Sequence, residues 1–142
     1  MTTSPEQAGD IDTLDVAERA GRLSLHVDHY RPHTVVLTAR GQLDATNVAR
    51  FAEVLRSRLL TAIRAIVVDL QGLTFLGIPG LDVLGQAHLH ASTHGQRLYL
   101  VADHPEVLRA LRVAGLAHLA QHSSVETALD DAPDPARGGS HD

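Results

Sequence analysis

The stretch Ala65-Ile66-Val67-Val68-Asp69, followed closely by Leu73-Thr74-Phe75-Leu76-Gly77-Ile78-Pro79-Gly80-Leu81, decides how this chain reads. The first five residues are apolar up to a closing acid, the pattern of a strand buried on both faces inside a sheet. The next nine read as a glycine-rich loop leading into a helix that begins near Gly80. Such a strand-loop-helix corner pushes its tip into solvent, where partners or phosphates dock. The tip carries Ile78 and Pro79, with no hydroxyl, thiol, amine or carboxylate, so it suits contact better than chemistry.

Working outward, Leu23, Leu25 and Val27 alternate with Ser24 and His26, which predicts a strand with one wet face. Thr34–Arg40 is a second strand, joined to the first by the turn Tyr30-Arg31-Pro32-His33. After Gly41-Gln42-Leu43-Asp44, the residues Val48, Phe51, Ala52, Leu55, Leu59 and Ala62 recur by threes and fours, as on one helix face. Asp44 or Thr46 is the expected N-cap. In the helix after Gly80, Val83, Leu84, Ala87 and Ala91 share a face, Asp82, Gln86, Leu89 and Thr93 fall opposite, and Gly95 is the stop. Arg97–Val101 is the next strand. Asp103 is expected to cap a third helix with Pro105 in its first turn, Val107, Leu108 and Leu111 inward, and Gly115-Leu116 at its end. Ala117–Gln121 reads as a short last strand and Ser124–Asp130 as a last helix carrying Val125, Ala128 and Leu129.

The alternation predicts an α/β fold, a single domain over 21–130 with one mixed sheet of four to five strands and helices mainly on one face. Residues 1–20 read as a flexible tail in which Thr13–Ala20 could form a short helix, and residues 131–142 as a disordered tail.

Composition narrows the function. The 142 residues are 44% hydrophobic but only 3% aromatic, so the core must be aliphatic. A net charge of −5 without a basic run gives no attraction for nucleic acid or anionic lipid. All twelve cationic side chains are Arg. Without Lys there is no P-loop lysine or Schiff base, and without Cys no thiol catalysis, disulfide or thiolate metal site. No apolar run approaches a membrane span, and no signal pattern opens the chain, so direct membrane insertion is not expected and a cytoplasmic location is. No catalytic constellation emerges, no cofactor is implied, and the chain reads as non-catalytic.

Ten histidines raise the question of metal. His90 and His94 stand four apart on one helix, a chelating interval. His88 points elsewhere, no third ligand is apparent, and His26, His29 and His33 merely straddle a turn. Partly solvated histidines are the simpler reading, with no metal.

In four places the chain resembles the STAS domain of bacterial anti-sigma-factor antagonists: Gly41-Gln42-Leu43-Asp44, Val67-Val68-Asp69-Leu70, the Phe75–Leu81 loop, and Leu111-Arg112-Val113-Ala114-Gly115-Leu116. The resemblance covers about residues 22–130. It implies a module that binds an anti-sigma factor, often a serine-kinase-like ATPase, and is switched by phosphorylation within a Phe-x-Asp-Ser-Ser/Thr-Gly loop. A phosphate adds roughly −1.5 to −2 charge inside the interface. Here the loop acid is replaced by Gly77, the phosphoacceptor by Ile78, and the next hydroxyl by Pro79, while the glycine persists as Gly80. Ile78 accepts no phosphoryl group, so the motif is degenerate and the resemblance implies partner binding without the usual switch. The partner surface it suggests comprises Gly41, Leu43, Asp44, Ala45, Thr46, Gly77, Ile78, Pro79, Gly80, Leu81, Asp82 and Leu89. Thr46 is the alternative phosphosite, ahead of Thr74, and a homodimer is compatible with the pattern. The competing readings are a STAS adapter subunit of a lipid transporter or stress-sensing complex, and a small-ligand or nucleotide sensor.

Overall fold

The computed structural model describes residues 14–15 and 23–133. Five strands form one sheet in sequence order: β1 (Leu14–Asp15), β2 (Leu23–Arg31), β3 (Thr34–Leu43), β4 (Ala65–Leu76) and β5 (Arg97–Val101). The first three pair antiparallel, and β3, β4 and β5 run parallel. The parallel pairs are linked by α1 (Val48–Leu59) and α2 (Ile78–Thr93); α3 (Pro105–Val113) and α4 (Val125–Asp131) follow. This is the expected mixed sheet.

Two cores form, one on each sheet face. The larger buries Leu25, Leu37, Ile66, Val68 and Leu100 beneath α1, α2 and α3. The smaller buries Val36, Ala65, Val67, Tyr99 and Val101 beneath Ala128 and Leu129 of α4. Burial of Val67 and Val68 on opposite faces explains why this strand reads as a continuous apolar run.

Several local expectations are corrected. β4 does not stop at Asp69 but runs to Leu76. The pairing passes from Thr38↔Asp69 to Arg40↔Gly72, and from Gly41↔Leu73 to Gln42↔Phe75. Each step gives β4 one extra residue, a bulge. The bulges turn Leu70, Leu73 and Leu76 all inward at a spacing of three, where an unbroken strand would need two. Helix α1 ends at Leu59; Val54 is buried in it, whereas Ala62 lies beyond it and is exposed. Its N-cap is Asn47, since Asp44 and Thr46 spend their side chains on a turn just upstream.

Helix α3 is capped by His104, whose Nδ1 accepts from the Glu106 amide, and not by Asp103. Pro105 at the helix start fixes the preceding residue in the extended conformation a cap requires. The Leu116 amide closes α3 onto the Leu111 carbonyl at 2.8 Å, with Gly115 at φ +76°. Ala117–Leu119 is then a 3-10 turn and not a strand, because the Leu119 and Ala120 amides bond locally to Leu116 and Ala117. Leu14 and Asp15, read from the sequence as part of a flexible tail that could form a short helix, instead pair as a strand with Leu25 and Ser24: the open edge of β2 offers their backbone groups partners. The rest of Thr13–Ala20, and residues 134–142, lie outside the described residues.

Candidate docking site

The ends of β3 and β4 build the corner. Gln42 and Leu43 pair with Phe75 and Leu76, and the Gly77 amide donates to the Leu43 carbonyl at 2.9 Å. The two stretches singled out in the sequence, 41–46 and 77–82, are thereby brought side by side. Gly77 is the N-cap of α2, Ile78 its first residue and Pro79 its second. The capping position thus belongs to a glycine, which is among the accepted cap residues.

Gly80 faces inward. A Cβ there would lie 2.8 Å from Leu76 Cδ1 and 2.9 Å from Leu43 Cδ2, so only glycine allows this approach of helix to strand ends. Leu43 is fully buried, and Gly80 is buried with it. Both build the surface from behind and present no side chain to a partner, which corrects their place among the contact residues.

The 44–47 turn is tied by its own polar groups. Asp44 Oδ1 accepts from the Thr46 amide at 3.0 Å and from Thr46 Oγ1 at 2.6 Å. Asn47, only 2% exposed, accepts from the Asp44 amide through Oδ1 and donates from Nδ2 to the Gln42 carbonyl at 2.9 Å. Asn47 thus positions Asp44, Ala45 and Thr46. Nothing in the linear sequence separates this asparagine from a surface one; only its burial reveals the role.

Against this turn lies an apolar groove. Its walls are Asp44, Ala45, Phe75 to Pro79, Leu81, Ala110 and Val113. Ile78 is 72% exposed, Val113 82% and Phe75 49%. Leu76 is buried and Leu81 packs partly on the core, so the apolar corner consists of Ile78, Phe75 and the end of α3. Phe75, Ala110 and Val113 are groove residues the sequence reading passed over. Val113 is legible only as an apolar residue off the Val107–Leu111 stripe. Asp82 and Leu89 are exposed on the outer side of α2. Leu89 stands eleven residues, about 16 Å, along the helix from Ile78 and does not line the groove. Gly41, at φ 104°, lies upstream of the groove and accepts from Thr74 Oγ1 at 3.3 Å through its carbonyl.

A STAS domain model matches residues 27–132, most of the chain and all of this corner. The chain belongs to the STAS domain family. It is 28% identical over 129 residues to the anti-sigma-F factor antagonist RsfA of Mycobacterium tuberculosis, covering 89% of this chain and 97% of that protein. An anti-sigma factor antagonist from Mycobacterium paratuberculosis superposes with a TM-score of 0.72 at 20% identity, over 80% of this chain and 97% of the other. The Bacillus cell fate determinant SpoIIAA in its phosphorylated form gives 0.64 at 18% identity, over 75% and 97%. The likeness to these two structures carries the fold.

Among the described residues, no helix of this STAS protein is long and apolar enough to cross a membrane. No group of three or more His, Asp or Glu side chains among them is placed to hold a metal ion.

Proposed function

We propose that this STAS protein is a non-catalytic, cytoplasmic regulatory module that binds an anti-sigma factor or a related serine-kinase-like ATPase. Binding would use the groove between the 44–47 turn, the start of α2 and the end of α3, without a phosphorylation switch at the head of α2. The single observation carrying this reading is Ile78. It stands where the resemblance would put the phosphoacceptor, is largely exposed, and lines an apolar corner with Phe75 and Val113. Burial of such a corner against a partner supplies roughly 25 cal/mol per Å² of apolar surface removed from water. An acid at its centre would have to be desolvated on binding. The 28% identity to an anti-sigma-F factor antagonist supports the choice of partner class.

The test is titration of purified anti-sigma factors from the source organism, with the wild type and the Ile78→Glu and Val113→Glu variants. Micromolar or tighter binding is expected, weakened at least about tenfold by either acid, on the order of 1.4 kcal/mol. Incubation with the partner and ATP should give no phosphate-affinity shift in the wild type. A shifted wild-type band lost in Thr46→Ala or Thr74→Ala would show that a neighbouring hydroxyl has taken over the switch and would overturn the reading of unswitched binding. If no anti-sigma factor binds, and a transporter permease or a stress-complex subunit does, the adapter reading replaces this one.

A further inference from the structure

At the opposite end of the domain, the C-terminus of α2 faces the C-terminus of α1 across a cleft lined by His33, His90 and His94, with Leu59, Arg64 and Gln96. The rings of His90 and His94 stack with centroids 4.0 Å apart and planes 15° from parallel. We propose that His90 and His94 form a two-histidine chelate for a borderline divalent transition-metal ion such as Cu²⁺, Ni²⁺ or Zn²⁺, with water completing the coordination.

Three features carry this beyond the bare four-residue spacing. His94 Nδ1 lies 2.8 Å from the His90 carbonyl oxygen, and a carbonyl can only accept. With the proton on Nδ1, the tautomer that makes this a hydrogen bond, the neutral ring carries its lone pair on Nε2. A ring N–H held by a backbone carbonyl is the arrangement that orients metal-binding histidines. His33 is held the same way, its Nδ1 3.1 Å from the Ala62 carbonyl, in the wall of the same cleft. The site also lies at a helix C-terminus, where the helix dipole favours a cation. Arg64 in the cleft wall opposes that attraction. Two protein ligands leave the remaining positions to solvent, which suits a weak, exchangeable site and agrees with the lack of a third converging side chain among the described residues. The stacked rings must splay for both lone pairs to meet one ion. For His90 this is a turn about χ2, a broad torsion in histidine.

The chemistry predicts an order. Nitrogen ligands bind Cu²⁺ tightest, then Ni²⁺ and Zn²⁺, and ignore Mg²⁺. The experiment is calorimetric titration of the tag-free full chain with each metal chloride, for the wild type, His90→Gln, His94→Gln and the double variant, with His88→Gln as a locus control. One Cu²⁺ site is expected, weakened at least about tenfold by either single change, because a two-point chelate becomes a one-point contact. His88→Gln should bind as the wild type. Paramagnetic broadening by Cu²⁺ of the His90 and His94 imidazole resonances in the wild type gives the same answer without any variant. The proposal is overturned if the double variant binds as well as the wild type, if His88→Gln abolishes binding, or if only other histidines broaden.

Discussion

Two glycines five residues apart on α2 should respond to alanine with opposite signs. At Gly80, a new Cβ would meet Leu76 Cδ1 at 2.8 Å, Leu43 Cδ2 at 2.9 Å and Leu43 Cγ at 3.0 Å. Leu43 is fully buried and Leu76 nearly so, hence neither side chain can retreat into solvent. Over-packing of this kind costs about 1–3 kcal/mol. Replacing a helical glycine returns roughly 0.5–1 kcal/mol of backbone entropy, and the net for Gly80→Ala is a loss of about 1–2 kcal/mol. Nothing lies within 4 Å of the equivalent Cβ at Gly85, so Gly85→Ala collects the entropy alone and should stabilise by about 0.5–1 kcal/mol. Urea unfolding of both variants beside the wild type reads these differences, and midpoints should move apart with unchanged slopes. In a thermal scan Gly80→Ala should melt about 4–8 °C lower. Equal stability of Gly80→Ala and the wild type would show that α2 does not approach the strand ends this closely. A destabilised Gly85→Ala would show that the outer side of α2 is covered by something these residues do not contain.

Three further outcomes follow from the same geometry. Asn47→Ala leaves the Asp44 amide and the Gln42 carbonyl without their side-chain partner and should cost about 1–3 kcal/mol in chemical denaturation, with Asn47→Asp recovering only the Oδ1 contact. Burial pushes the Tyr99 phenol above its ordinary value of 10.0, with Arg97 pulling it down and Asp131 adding to the rise. Above pH 10 the unfolded chain therefore loses this proton before the folded one does, and the stability present below pH 10 falls as pH climbs through the folded value. Tyr99→Phe should flatten that alkaline fall, and an unchanged pH profile would refute it. Ile78→Ser should shift stability by no more than about 0.5 kcal/mol, because the side chain is largely in solvent and Gly77 holds the cap; a larger loss would mean Ile78 supports the fold.

Where one period governs a stretch, the sequence was a sufficient guide. Leu23, Leu25 and Val27 alternate cleanly, Arg97–Val101 is bounded by Gly95 and Asp103, and both appear as strands with little revision. The C-terminal stops at Gly95 and Gly115 also emerge with the expected positive φ. Legibility failed where two periods compete. Leu70, Leu73 and Leu76 are spaced as on a helix yet lie in a strand, because bulges opposite Thr38–Arg40 and Gly41–Gln42 absorb the extra residues. A bulge is a property of the pair of strands, and one strand's sequence does not announce it. The same holds at the site. Val113 is distant from Ile78 in sequence and lines the same groove only because the fold brings the end of α3 to it. Asn47 is polar and buried because the turn encloses it.

The corner separates two jobs that a phosphorylatable loop would combine. Its shape is set by atoms that face inward or along the backbone: the Gly77 amide on the Leu43 carbonyl, the missing Cβ of Gly80 against Leu43 and Leu76, and Asn47 bridging Gln42 and Asp44. None of these needs a hydroxyl at position 78. The side chain there points outward, and its chemistry can change without a cost in folding. An aliphatic residue adds apolar surface to a groove already walled by Phe75 and Val113. An aliphatic side chain there accepts no phosphoryl group, so no charge can be added at position 78 itself. If the corner binds a partner as proposed, release by phosphorylation would have to act at another hydroxyl, and that of Thr46, bonded to Asp44, is the nearest on the turn.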